Sequence, residues 1–175
     1  MKLGEPCPDF RDLPGTDGKG HSLGDFAVKP VLVVIVSCNH CPYVIAYEER
    51  IAQLAKTYQP RGAAFIAINA NDVARYPADG MPKMIERAKD RGFDFPYVRD
   101  DTQEIARALG ARFTPEVFVF DHARKLRYHG RIDDNHASPA SVKSRDLENA
   151  LVALLAGKNP PVGETQAVGC SVKWK

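Results

Sequence analysis

The stretch that decides the fold is VLVVIVSCNHCPYV, residues 31–44. Its first six residues are apolar, mostly β-branched and without alternation, which is typical of a strand covered on both faces. Two cysteines, Cys38 and Cys41, follow directly, and then Pro42, which is favoured in the first turn of a helix. The stretch therefore predicts a buried strand, a pair of thiols and a helix in immediate succession.

The rest of the chain continues this alternation of strands and helices. Apolar residues recur at steps of three and four from 43 to 58, which predicts a helix with one buried stripe. Helical patterns also occupy 81–91, 101–110 with Asp101 as N-cap and Gly110 as the stop, and 147–157; strand patterns occupy 63–69, 116–120 and 125–130, the last at an edge. Turn residues within 8–23 predict a β-hairpin. The fold class is therefore α/β, a central mixed sheet flanked by helices, with an N-terminal β-hairpin extension.

Size and composition limit the class of protein. The 175 residues suit one domain, which we expect to span 1–157, with a tail at 158–175 packing on or near it. A formal net charge of +2 gives no reason to expect nucleic acid or a membrane surface as partner. The longest apolar run is far below the ~18 residues that a membrane span needs, and the first residues do not resemble a secretory signal. We therefore expect a cytoplasmic protein, where four cysteines are reactive or metal-binding rather than structural disulfides.

The spacing of Cys38 and Cys41 suits thiol–disulfide exchange. We expect Cys38 to lie at the helix N-terminus, where backbone N–H groups and the helix dipole stabilise a thiolate and lower its pKa below about 8.5. Cys41 follows one turn later on the same face. The prediction is that Cys38 attacks a disulfide and Cys41 resolves the mixed disulfide. His40, with Asn39 beside it, is the candidate for tuning the thiolate.

These residues resemble a known superfamily. A buried strand, the C-x-x-C motif, a helix and a later Thr114-Pro115 pair entering another strand look like the thioredoxin superfamily. The opening GEPCPDF and the G-x-I-D ending at 130–133 are similar to the redoxin branch, which includes alkyl hydroperoxide reductase and thiol-specific antioxidant proteins. The resemblance covers about residues 3–157.

The resemblance carries implications for the site. It implies that Pro115 is cis and faces the thiols, and that the backbone at Thr114 pairs with the substrate chain. Pro42 and Tyr43 are expected to line the same groove. Protein or small-molecule disulfides would be the substrates, and an external thiol reductant would recycle the Cys38–Cys41 pair. No dissociable cofactor and no metal are expected.

Two other functions remain open at this point. In peroxiredoxin-like peroxidases the reactive cysteine is followed by proline, as Cys41 is by Pro42, so Cys41 is a candidate peroxidatic residue with Cys38 or Cys170 resolving it. A metal-binding protein is the second alternative, with ligands from Cys38, Cys41, His40 and Cys170, although no second half-site accompanies the C-x-x-C.

The two cysteines outside the motif have separate interpretations. Cys170 lies in the tail and is either a possible third thiol that folds back onto the pair or a small packed residue. Cys7, between Pro6 and Pro8, is interpreted as structural, and a Cys7–Cys170 disulfide is the alternative that the sequence leaves open.

Overall fold

The structure is a computed structural model that describes residues 1–175. The strands are β1 (Leu13–Pro14), β2 (Gly20–His21), β3 (Val31–Ser37), β4 (Ala63–Asn69), β5 (Tyr97–Arg99), β6 (Phe113–Thr114), β7 (Glu116–Phe120), β8 (Leu126–Gly130) and β9 (Cys170–Ser171). The α-helices are α1 (Pro42–Tyr58), α2 (Met81–Asp90), α3 (Glu104–Leu109) and α4 (Asp146–Leu155). None of the helices combines the length and apolar character that crossing a bilayer requires.

A five-stranded mixed sheet organises the fold. Its order is β5-β4-β3-β7-β8, with β3, β4 and β5 parallel and with β7 and β8 antiparallel to their neighbours. The predicted α/β class with a central mixed sheet is confirmed, and the predicted N-terminal hairpin is the antiparallel pair β1–β2. A further pair, β6–β9, joins the chain's tail to the strand before Pro115 and was not predicted.

Helices and loops cover both faces of the sheet. On one face, Val33 and Ile35 of β3 pack into a core with α1, α2 and α4. On the other face, Leu32 and Val34 pack with α3, the N-terminal segment and part of the tail. Successive residues of a strand point to opposite faces. A strand buried on both faces therefore shows an apolar run with no alternation, as 31–36 does.

One predicted helix start is wrong. Helix α3 begins at Glu104, and Gln103 rather than Asp101 is the residue before it, with a positive φ of 64°. The Asp100 carboxylate is buried and accepts the Ala106 N–H at 2.9 Å, so it satisfies a donor of the first turn from outside the helix. The predicted stop at Gly110 is confirmed, with φ 70°.

A buried carboxylate fixes the turn that leads into β7. Glu116 Oε2 accepts the backbone N–H groups of Arg112 at 2.6 Å and Phe113 at 3.0 Å, and Glu116 Oε1 lies 2.6 Å from His129 Nε2. Burial by itself raises the pKa of Glu116, but the hydrogen bonds from His129 and from the two backbone N–H groups outweigh it and leave the pKa lowered. The charged carboxylate therefore holds residues 112–116 in place.

Glu116→Gln should lower the free energy of unfolding by about 2 kcal/mol at neutral pH, because it leaves buried donors without their charged acceptor. The pKa of Glu116 is lower in the folded than in the unfolded protein. Its contribution to the free energy of unfolding is therefore complete above the unfolded-state pKa and is lost as the pH falls through the folded-state pKa. The difference between wild type and variant in urea unfolding should therefore shrink under acid conditions. Glu164→Gln, at an exposed residue 3.9 Å from the same histidine, is the matched control and should cost little. Equal effects of the two substitutions would contradict this role.

Candidate functional site

The site lies at the edge of the sheet where the C-terminal end of β3 is next to the N-terminal end of β7. In the register of β3 with β7, Val36 faces Glu116, so the residue after β3 comes to lie beside the residues before β7. Cys38 therefore lies next to the Thr114–Pro115 peptide bond, which is cis. The two motifs that the sequence analysis singled out, more than 70 residues apart, form one site.

Thr114 contacts both sulfur atoms of the motif. Cys38 Sγ lies 3.5 Å from Thr114 Oγ1, and Cys41 Sγ lies 3.1 Å from the Thr114 carbonyl oxygen. Only 2% of Cys38 and none of Cys41 is exposed, so the pair is closed off from solvent in this conformation. All four cysteines are free thiols.

The helix begins at a different cysteine from the one predicted. Cys41, with φ −71° and ψ 124°, is the N-cap of α1, and Pro42 is the first helical residue. A residue before proline is disfavoured in the helical region, because its backbone clashes with the proline ring. The helix therefore cannot extend back to Cys38, and the prediction that Cys38 lies at its N-terminus is wrong.

This placement assigns the anionic sulfur to Cys41. The Cys38 thiol has the largest effect in lowering the pKa of Cys41 to about 4; burial opposes it, and the Cys170 thiol and the backbone N–H groups of Val44 and Cys170 lower it further. The start of α1 adds the favourable field of the helix dipole. The Thr114 carbonyl is the neighbour that favours the protonated form, since it can only accept a hydrogen bond.

Cys38 shows the opposite behaviour. Its interaction with Cys41 raises its pKa most, and burial raises it further. The hydrogen bond with Thr114 lowers the pKa by more than the negative charge of Asp79 raises it, but the net shift is upward. The predicted lowering of the Cys38 pKa is therefore wrong. The directions of the two shifts favour a thiolate at Cys41 over one at Cys38.

Asn39 and His40, predicted to tune the thiolate, contact Asp79 instead of sulfur. The Asn39 N–H donates to Asp79 Oδ1 at 2.7 Å, and the Asn39 side chain accepts the Tyr97 hydroxyl at 2.8 Å. His40 Nδ1 lies 2.6 Å from Asp79 Oδ2, and its ring stacks on Tyr76 with the centroids 5.4 Å apart. Asn39 thus fixes the loop between the cysteines, and His40 contacts Asp79 while one of its ring nitrogens lies within 4.8 Å of the Cys38 sulfur.

Sequence reasoning missed Asp79. Its side chain is fully buried and also accepts the side-chain amides of Asn71 at 2.9 Å and Asn69 at 3.3 Å. One ligand-type atom from each of Cys38, His40 and Asp79 lies within 4.8 Å of the others. The loop around Asp79 carries no motif, and its place beside Cys38 depends on the fold.

The predicted groove residues lie around the thiols, but they form no open groove. Pro42 is exposed, and Tyr43 is half-buried against the thiol cluster, 4.5 Å from the His136 ring between centroids. Thr114 and Pro115 are buried. The tail strand β9 lies along Thr114 and accounts for the closure.

Of the remaining cysteines, the structure brings only Cys170 to the site. Cys170 packs against the cluster formed by Cys38 and Cys41, whereas Cys7 packs into the core on the face of the sheet that carries α3. Burial raises the pKa of Cys7 to about 12, so it is an unreactive thiol.

Asp79→Asn should lower the pKa of Cys38, because it removes the negative charge that disfavours a thiolate there. In reduced protein alkylation of Cys38, followed as a function of pH by mass spectrometry of its peptide, should begin at a lower pH than in wild type. Asp94→Asn, at a surface aspartate that accepts a hydrogen bond from Gln59, is the control and should leave the profile unchanged. An unaltered Cys38 profile in a correctly folded Asp79 variant would contradict the assigned charge effect.

Known proteins include relatives that are similar to this chain in sequence and in structure. The curated thiol-disulfide oxidoreductase ResA of Geobacillus thermodenitrificans (strain NG80-2) is 28% identical over 129 residues, which are 73% of this chain and 68% of that protein. A crystal structure of a hypothetical protein from Sinorhizobium meliloti 1021 is 35% identical, with a TM-score of 0.94 over 100% of this chain and 96% of that one.

A more distant structure supports the fold class. A thiol:disulfide interchange protein of the thioredoxin family from Chlorobium tepidum TLS superposes with a TM-score of 0.67 at 22% identity, over 89% of this chain and 99% of that one. This similarity shows the thioredoxin-like fold. The family model described as Redoxin matches residues 2–151, so the chain belongs to the redoxin family.

Proposed function

We propose that this protein catalyses thiol–disulfide exchange with Cys38 and Cys41. The observation that supports it best is the pairing of two thiols of opposite acidity beside one cis-proline turn, with the pKa of Cys41 lowered and that of Cys38 raised. An exchange centre needs an attacking thiolate and a second thiol within reach of it. Cys41 meets the first need and Cys38 the second.

The proposed reaction has two steps. The Cys41 thiolate attacks a disulfide, forms a mixed disulfide with one half of the substrate and releases the other half as a thiolate. Cys38 then gives its proton to solvent or to the leaving group and attacks the Cys41 sulfur. The second half of the substrate leaves, and a Cys38–Cys41 disulfide remains. This order reverses the one expected from the sequence, because the hydrogen bond from Cys38 and the start of α1 after Cys41 both favour a thiolate at Cys41.

The partners in this proposal are protein or small-molecule disulfides and an external thiol reductant that restores the pair. The only redox group is the cysteine pair itself, without a dissociable cofactor. A reducing cytoplasm is the location that suits such a cycle.

A peroxidase is the second candidate, since the Cys41 thiolate stands at a helix start and precedes Pro42. A peroxidatic thiolate is activated by nearby cations. No arginine or lysine hydrogen-bonds to either sulfur, and the Arg112 guanidinium lies over the Phe113 ring, 5.5 Å from its centroid. These contacts favour exchange over peroxide reduction.

Metal binding is less favoured for a similar reason. The Asp79 oxygens already accept hydrogen bonds from Asn39 and Asn71 and contact His40. These partners occupy the positions that a cation would take. Stoichiometric zinc in the purified protein, with both cysteines unreactive, would contradict an exchange function.

Wild-type protein should accelerate the reduction of a disulfide-linked fluorescent peptide by dithiothreitol, and Cys41→Ser should abolish the acceleration. The Cys38→Ser/Cys170→Ser variant, mixed with the peptide in the absence of dithiothreitol, should instead stop after the first step, with half of the peptide retained on Cys41 and identified by peptide mass mapping. Cys7→Ser is the control that should behave as wild type. A Cys41→Ser variant that retains the substrate on Cys38 would reverse the assigned order. Faster turnover with hydrogen peroxide than with the peptide would favour the peroxidase.

A further inference from the structure

We propose that Cys170, in the chain's own tail, is a third redox-active thiol that forms a disulfide with Cys41. The inference rests on the proposed exchange function and extends it. In this proposal the tail segment around Cys170 acts as a substrate within the same chain and pairs as a strand with the backbone at Thr114.

The first observation is the pairing of the tail with the turn that holds the thiols. Strand β9 runs antiparallel to β6, with Cys170 opposite Thr114 and Ser171 opposite Phe113. The Val172 N–H continues the ladder by donating to the Arg112 carbonyl at 3.0 Å. Cys170 is therefore placed by backbone hydrogen bonds next to the residue that contacts both Cys38 and Cys41.

The second observation is a glycine that permits this approach. A Cβ atom on Gly169 would lie 2.2 Å from the Thr114 carbonyl oxygen and 2.8 Å from its carbonyl carbon. Both neighbours are backbone atoms, so they cannot move aside as a flexible side chain would. Only glycine at 169 lets the tail lie this close to Thr114.

The third observation is that the tail is anchored beyond Cys170. The Lys173 backbone donates to Asn71 Oδ1 at 2.8 Å and accepts the Asp72 N–H at 2.8 Å. The Arg107 guanidinium lies over the Trp174 ring, 4.4 Å from its centroid. Val172 between these contacts and Cys170 is buried. The position of Cys170 is thus fixed from both sides.

The chemistry at Cys170 fits exchange with Cys41. Cys170 packs against the cluster of Cys38 and Cys41 and keeps partial exposure, which the other two lack. Burial and the neighbouring Cys41 raise the pKa of Cys170 to about 11, so it stays protonated while Cys41 carries the negative charge. Once the Cys41 sulfur is bonded to another sulfur, that charge is gone and Cys170 can lose its proton.

Two routes lead to the Cys41–Cys170 bond, and both balance. In the first, the Cys170 thiolate attacks the Cys41 sulfur of a mixed disulfide and releases the substrate thiolate, in place of Cys38. In the second, it attacks the Cys41 sulfur of the Cys38–Cys41 disulfide, and Cys38 leaves as a thiolate that takes up a proton. The second route transfers no net electrons. It replaces the Cys38–Cys41 disulfide, between two buried residues, by a Cys41–Cys170 disulfide, in which Cys170 is partly exposed.

The test uses the full-length Cys7→Ser/Cys38→Ser variant, which retains only Cys41 and Cys170, treated with oxidised glutathione at neutral pH. Cys41 should first take up glutathione, and Cys170 should then displace it, so that peptide mapping finds a Cys41–Cys170 disulfide without bound glutathione. The Cys7→Ser/Cys38→Ser/Cys170→Ser variant should keep glutathione on Cys41. Equal retention of glutathione in the two proteins, or no reaction of Cys41 in either, would overturn the inference.

Gly169→Ala in the Cys7→Ser/Cys38→Ser background tests the placement of the tail without changing a thiol. The ratio of Cys41–Cys170 disulfide to glutathione adduct should fall at least about tenfold, because the added methyl group displaces the strand. Gly24→Ala, at a glycine with open space around it, is the control and should leave the ratio unchanged. An unchanged ratio in the Gly169 variant would contradict the inference.

Wild-type protein treated in the same way separates this inference from the proposed function. One pair of results is a Cys38–Cys41 disulfide in wild type and no Cys41–Cys170 disulfide in the double variant. That pair of results refutes the role of Cys170 and leaves the exchange function standing. Failure of wild type to form any Cys41 disulfide refutes the exchange function as well.

Discussion

The start of α1 at Cys41 is the constraint on which the site depends. Pro42 keeps the backbone of Cys41 out of the helical region. The unpaired N–H groups at the N-terminus of α1 therefore lie beside Cys41 and not beside Cys38. The Asn39 N–H and side chain are held by Asp79 and Tyr97, which keeps the loop before Cys41 from continuing the helix backwards. The helix start thereby adds to the hydrogen bond from Cys38, which lowers the pKa of Cys41 most.

The second half of the site is the turn at Thr114 and Pro115. Its position comes from the antiparallel register of β3 and β7 and from the buried Glu116 carboxylate that holds the preceding backbone. Thr114 then contacts Cys38 through its hydroxyl, Cys41 through its carbonyl and Cys170 through strand pairing. One residue therefore contacts all three cysteines.

Closure of the site has a consequence for catalysis. With β9 paired to β6, neither Cys38 nor Cys41 is accessible to a large disulfide. In the proposed cycle an external polypeptide has to displace the tail strand, which it can do by offering the same backbone hydrogen bonds.

Much of this architecture follows from the sequence. The unbroken apolar runs predict the buried strands, and the C-x-x-C with the Thr114-Pro115 pair indicates the fold through resemblance. The helix start is also marked in the sequence, since the proline after Cys41 disfavours helical backbone at Cys41. Asp79, Glu116 and Gly169 could not be assigned because their roles depend on tertiary placement: a buried charge beside Cys38, a carboxylate under a turn and a close backbone approach.

The central claim is that the thiolate of the reduced protein is on Cys41. It can be tested most directly by selective ¹³C labelling of cysteine Cβ and an NMR titration, which reports ionisation without requiring access of a reagent to the closed site. The Cys41 signal should titrate well below the pH at which a free thiol ionises, while the Cys38 signal stays that of a thiol through neutral pH. A Cys38 signal that titrates first, with Cys41 still protonated at neutral pH, would contradict the claim.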